Sequence, residues 1–190
     1  MTPEHFKQLI EFGRESTVLE FKESCEWDAL KPVIARCILA MTNTRGGGHL
    51  IIGVKNDGDL VGLSLAHKQT YEEEKIKDYL SNYADPYVDF DLDHVSYEEK
   101  DFVVVTVREF MEVPVICKKD GDEFQRGAIY TRTKNRRPES APIPDSAHMR
   151  ELIELAVDKG NENLKGRGWI HPTAEKSKEK FFKQIEHLDT

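Results

Sequence analysis

The sequence predicts an α+β fold: a mixed β-sheet packed with helices, followed by a C-terminal helical tail. Three observations lead there. Residues 17–22 alternate apolar and polar side chains, as a half-buried strand does. Leu30, Val33, Ile34, Cys37, Ile38 and Met41 recur at helical spacing. Residues 49–54 then form an apolar run that fits a buried central strand. The 190 residues suffice for one domain, or one domain with an appendage, and can bury a core without disulfides or metals.

In chain order, residues 3–12 form a short helix carrying Phe6, Leu9 and Ile10, ended by Gly13. In the strand of residues 17–22, Val18 and Glu20 share one face and Leu19 and Phe21 the other. Asp28 is the expected N-cap of the next helix, with Pro32 in its first turn, where a missing N–H does little harm. Residues 43–48 stop that helix. After the central strand, Asn56-Asp57-Gly58 signals a turn and residues 60–63 a returning strand. Residues 72–83 put Ile76, Tyr79, Leu80 and Tyr83 on one helical face. Residues 87–97 and 102–107 read as a hairpin turning at 98–100, and 113–117 and 128–133 as two more strands. The three prolines of 138–144 mark a loop. Asp145 caps a helix with the apolar face Met149, Leu152, Ile153, Ala156 and Val157, closed by Gly160. The domain thus spans 1–160. Residues 161–190 read as a polar linker and a lysine-rich amphipathic tail helix with Phe181, Phe182, Ile185 and Leu188 on one side.

Composition narrows the function. Apolar residues make up 38% and charged residues 33%, too apolar and periodic a chain to be disordered throughout. No stretch approaches about 18 uninterrupted apolar residues, so no membrane span is expected. Residues 1–5 lack an apolar signal core, and the three cysteines are odd in number and widely spaced. Both features point to a cytoplasmic protein without a disulfide framework or a cysteine zinc site. The net charge of −8 speaks against coating nucleic acid by bulk charge, but not against a local basic groove. Residues 126–137 hold Arg126, Arg132, Lys134, Arg136 and Arg137 and no acid.

Gly46-Gly47-Gly48 leads into a strand, not a helix N-terminus, and no Walker Lys-Ser/Thr follows. That pattern suits a tight turn with close backbone packing and disfavours ATP. The seven histidines show no metal-ligand spacing, and no nucleophile elbow is present. The carboxylates leave two readings open. Glu15 and Glu20 flank or occupy the first strand, and Asp57 and Asp59 lie at the turn after the central strand. If those strands are neighbours, the acids can converge to hold Mg²⁺ or Mn²⁺ and activate water against a phosphodiester. Alternatively, Glu20 and Lys22 make a same-face pair beside a polar turn. The basic stretch is equally double. Ile129 and Tyr130 place it on a strand with Arg132 and Lys134 alternating to one face and Tyr130 as a stacking surface, suited to a phosphate backbone. It also suits a solvated basic edge that blocks strand-to-strand aggregation.

Linked motifs add a resemblance. Glu15-Ser16-Thr17-Val18-Leu19-Glu20-Phe21-Lys22 is followed by Ala40-Met41-Thr42-Asn43-Thr44-Arg45-Gly46-Gly47, then Ile52-Gly53-Val54 and Gly62-Leu63. Tyr130-Thr131-Arg132 comes last. In order and spacing these motifs, over residues 11–157, resemble the Schlafen/AlbA_2 family. The resemblance implies an α+β fold with a mixed sheet, and nucleic-acid binding. In Schlafen proteins two such lobes form a horseshoe that grips structured RNA, and some members cut tRNA or rRNA at a Mg²⁺/Mn²⁺-dependent three-carboxylate site. The family's two glutamates fall on Glu15 and Glu20. Its third carboxylate falls on Asn56, which offers an oxygen but no charge. Asp57 is one residue away. The family's ATP-binding label finds no local support.

The expectation is therefore a nucleic-acid-binding domain, with RNA of tRNA type or DNA as partner. Its catalytic extension is a metal-dependent endoribonuclease. There Glu15, Glu20, Asn56 and Asp57 hold the metal and Lys22 stabilises developing charge. Arg126, Tyr130, Arg132, Lys134, Arg136 and Arg137 hold the strand. The alternatives are a non-catalytic DNA- or RNA-binding regulatory or defence module, and an oligomerisation domain. A homodimer suits all three, because one lobe is half of a horseshoe.

Overall fold

Helix α1 (Pro3–Glu11) opens the chain and strand β1 (Leu19–Lys22) follows. The computed structural model describes residues 1–11, 15–135 and 137–169. Helix α2 (Trp27–Thr42) leads through the glycine turn into β2 (Gly48–Ile52). Short α3 (Leu65–Lys68), α4 (Glu73–Ser81) and β3 (Ala84–Asp85) precede a long hairpin, β4 (Phe90–Tyr97) and β5 (Lys100–Val107). Three short strands, β6 (Ile116–Cys117), β7 (Tyr130–Arg132) and β8 (Ser140–Pro142), come before α5 (Ser146–Gly166).

The main sheet has the order β1-β2-β5-β4 and is mixed: β1 and β2 are parallel, the other pairs antiparallel. The hairpin turns at Glu98 and Glu99, both at positive φ (49° and 59°), as a two-residue turn matched to strand twist requires. Strand alternation divides the core. Phe21, Ile51, Phe102 and Val104 face α1, where Phe6 packs on Phe102 at 4.9 Å. Leu50, Ile52, Val103 and Val105 face α2 and the layers beyond it. Helix α2 is buried almost all round in its second half, because β7 and β8 cover the side away from the sheet.

Several local expectations give way to tertiary partners. Asp28 is not the N-cap. Glu26 holds that position, and the Trp27 N–H is satisfied by Thr70 Oγ1 at 2.9 Å instead. Because α2 begins at Trp27, Pro32 lies beyond its first turn. Residues 60–63 make only isolated bridges, Val54 with Leu60 and Leu63 with Asp101. Here Gly53 and Gly62 bend the chain, and the N–H groups of Val61 and Gly62 both donate to the Gly53 carbonyl. The strand expected over 113–117 shrinks to β6, because both backbone groups of Val115 bond the Asn43 side chain. The proline loop contains β8, antiparallel to β7.

Asp145 does cap α5, accepting from the N–H groups of Ala147 and His148. Gly160 does not close it. An interior glycine costs only about 1 kcal/mol, and the helix continues to Gly166. Its buried line is Leu152 and Leu155, whereas Met149, Ile153 and Val157 are exposed. No helix among the described residues is long and apolar enough to cross a membrane. The expected tail helix lies outside the described residues.

Candidate functional site

The alternation of β1 sends Leu19 and Phe21 towards α1 and turns Glu20 to the opposite face, beside Leu50. Glu20 is only 7% exposed there. Both its oxygens are engaged: Oε1 accepts from Lys22 Nζ and Oε2 from Arg132 Nη2. Arg132 arrives from β7 and is itself 3% exposed. Its guanidinium also donates to Ser140 Oγ (3.0 Å) and to the carbonyls of Pro138 (3.2 Å) and Ser16 (3.3 Å). Glu15 folds back so that its Oε1 accepts from the Phe21 N–H at 3.2 Å. Burial, then the neighbouring Glu20 charge, push the Glu15 carboxyl above its usual range. Burial likewise pushes the nearby Cys37 thiol up to about 11, so this cysteine is not poised as a nucleophile.

These residues do not fit the divalent metal that the resemblance implies. Two carboxylates, Glu15 and Glu20, share their surroundings with two cations, Lys22 and Arg132, so the cluster is already neutral. An added divalent ion would compete with both cations for Glu20. The third ligand is also missing. Glu20 pairs with Leu50, whereas Asn56 and Asp57 follow the end of β2 in an exposed turn. There Asp57 Oδ1 accepts from the Asp59 N–H at 3.1 Å. Among the described residues no three acid, histidine or cysteine side chains gather as a metal site. The expected convergence of Glu15, Glu20, Asn56 and Asp57 is not formed.

The basic stretch is also redistributed. Arg132 and Lys134 do not share a face. The strand ends at Arg132, which points inward, while Lys134 is exposed and paired with Glu151 at 2.6 Å. Tyr130 is buried, so it presents no stacking surface; its hydroxyl accepts from the Gln125 N–H and donates to the Glu123 carbonyl. Arg126 and Arg137 are exposed and form no ion pair among the described residues. Arg136 lies outside the described residues.

Sequence reading missed the role of Asn43. Its Nδ2 donates to the carbonyls of Val115 (2.8 Å) and Tyr130 (3.0 Å), and its Oδ1 accepts from the Val115 N–H (2.8 Å). It therefore joins the end of α2 to the layer carrying Arg132. The glycine turn supplies the close approach expected of it: a Cβ on Gly47 would stand 2.1 Å from the Val107 carbonyl oxygen.

A cleft of about 300 Å³ opens between the end of α2, β7 and α5. Thr131, Arg132, Lys134, Arg45, His148 and Glu154 are among its lining. No local motif announces it, because its walls come from separate parts of the chain.

The family model described as Schlafen, AlbA_2 matches residues 15–139 of this chain. The chain belongs to the Schlafen AlbA_2 family. The match takes in both glutamates, Asn43, the glycine turn and Arg132. Among solved structures, the DIP2311 protein from Corynebacterium diphtheriae is similar, with 15% identity and a TM-score of 0.50. That similarity covers 74% of this chain and 26% of DIP2311, and it shows a shared fold. The N-terminal domain of a RecG-related protein from Nitrosomonas europaea is also similar, at 18% identity and a TM-score of 0.42. This second similarity covers 68% of this chain and 90% of that one. No curated protein matches the chain.

Proposed function

We propose that this Schlafen AlbA_2 domain is a nucleic-acid-binding module whose carboxylate pair serves structure and not metal-dependent cleavage. The observation that carries this reading is the engagement of both Glu20 oxygens by Lys22 and Arg132. A carboxylate held by two cations in a neutral, buried cluster has little left to offer a divalent ion. Binding falls to the exposed cations Arg126, Lys134 and Arg137, which can track a phosphate backbone on RNA or DNA. The free cysteines Cys25, Cys37 and Cys117 support work in a reducing cytoplasm. The exposed stripe Met149, Ile153, Val157 and Leu164 on α5 supports a homodimer, because one apolar patch repeated on two copies is self-complementary.

The test is incubation with total tRNA and with single- and double-stranded DNA, in Mn²⁺ or in EDTA, read by mobility shift and on denaturing gels. Shifts that persist in EDTA without fragments are expected. Discrete fragments that disappear with EDTA and with Glu20→Gln, in a variant shown to remain folded, would overturn the reading and establish an endoribonuclease.

A further inference from the structure

Buried polar atoms without a partner are rare in folded proteins, and each calls for a ligand, a water or a reason. Four side-chain atoms among the described residues are in that state: Arg36 Nε, Thr131 Oγ1, Arg132 Nε and His148 Nε2. Three of the four belong to residues lining the cleft between α2, β7 and α5. Thr131 and Arg132 are 5% and 3% exposed, so neither reaches bulk water easily.

The chemistry of the three atoms is directional. An arginine Nε–H has no lone pair, so its partner must be an acceptor. The Thr131 hydroxyl can donate to the same kind of group. His148 Nδ1 lies 2.9 Å from Asp145 Oδ1, which leaves Nε2 as the nitrogen offered elsewhere. It can meet a ligand hydroxyl or, when the ring is protonated, a ligand oxygen. Two cations on the lining, Arg45 and Lys134, are tied to acids only by exposed pairs, with Asp158 at 2.9 Å and Glu151 at 2.6 Å. Such pairs contribute little and exchange partners readily. A guanidinium Nε–H, a hydroxyl and two loosely held cations thus belong to the lining of one cleft, a donor set that suits a tetrahedral oxyanion.

We infer that this cleft binds one phosphate group of a nucleic-acid strand, either an internal phosphodiester or a terminal monoester. The identity of the ligand rests on the nucleic-acid reading above; the presence of an oxyanion site does not. Glu154, an exposed acid in the lining, opposes the ligand and sets a limit on its affinity.

The decisive variant is Thr131→Val in the full chain. It keeps the shape and removes a hydroxyl that no protein group uses, so thermal stability should be unchanged or higher. Binding is measured for a 5′-phosphorylated oligonucleotide, for the same strand with a 5′-hydroxyl, and for inorganic phosphate. Thr131→Val should weaken binding about tenfold, the size of one hydrogen bond to a charged group. Arg45→Gln, at an exposed position of the same lining, should weaken it several-fold and gives a second reading if Thr131→Val fails to fold. Glu154→Gln should tighten it. A preference for the phosphorylated strand that disappears in Thr131→Val identifies a terminal monoester. Equal loss on both strands identifies an internal diester. If the wild type binds strands and both Thr131→Val and Arg45→Gln bind every probe as it does, the cleft proposal is overturned and the nucleic-acid reading survives. If phosphate binds in a Thr131-dependent way but no strand does, the nucleic-acid reading fails and the phosphate-strand assignment falls with it. If neither phosphate nor strand binds, both fall.

Discussion

Glu20 is held almost wholly out of water, so it depends on the partners that satisfy its two oxygens. Arg132 is the partner that matters most, because it is buried with it and bridges β1 to the β7–β8 layer. Replacing Arg132 by Met should cost about 3 kcal/mol, read from the denaturant midpoint, since Glu20 then loses the more deeply buried of its two cations and keeps only Lys22. Combining it with Glu20→Gln should recover much of that loss. A fully additive double variant would show that the two side chains are not coupled. A second residue-scale expectation concerns His49, which packs edge-on to His5 at 5.6 Å. Burial first, then the His5 charge, hold the His49 imidazole below its ordinary value of 6.5. The unfolded chain therefore takes up this proton at higher pH than the folded one. The contribution to stability is complete above that ordinary value and declines as pH falls through the lowered one. Thermal unfolding at about pH 7 and about pH 5.5 should show that decline, and His49→Gln should flatten it.

At the scale of elements, the turn from α2 to β2 concentrates the constraints. Asn43 anchors one side of it through bonds to Val115 and Tyr130. Asn43→Leu leaves those buried backbone groups unpaired, and a loss of about 3 kcal/mol or more is expected in thermal or chemical unfolding. Gly46 and Gly47 both have positive φ (81° and 70°) but stand in different surroundings. Alanine at 46 meets nothing within 4 Å and should cost about 1 kcal/mol, the backbone penalty alone. Alanine at 47 collides with the Val107 carbonyl of β5 and should cost several times more. Equal losses at the two glycines would mean that the β2–β5 approach is not what fixes this turn.

For the whole molecule, charge and symmetry make separate predictions. The chain is acidic overall, so the few exposed unpaired cations should dominate the salt dependence of binding. Arg126→Gln with Arg137→Gln should reduce the slope of log affinity against log salt on duplex DNA by roughly two. An unchanged slope would remove these residues from the interface. The α5 stripe should hold two copies together, so sedimentation should report about twice the 21.9 kDa chain. Ile153→Asp with Val157→Asp should return the single-chain mass. A wild type that sediments as one chain at every concentration would dismiss the dimer.

The sequence alone determined the elements whose signal is local. Strands β1 and β2, helix α2 and the β4–β5 hairpin announce themselves because side-chain periodicity reports which face of each element meets the core. It also determined the family, because the motifs are short and ordered along the chain. Only the tertiary structure decided which side chains meet. Glu20 and Arg132 lie 112 residues apart, and nothing local shows that β7 turns this arginine inward to a glutamate. Asn43 reads as a helix stop until its partners 72 and 87 residues away are in place. Alternation along a strand assigns a side chain to a face; what covers that face is set by packing between distant segments. At this site, that packing makes the difference between an open carboxylate cluster and a closed ion pair beside a cleft.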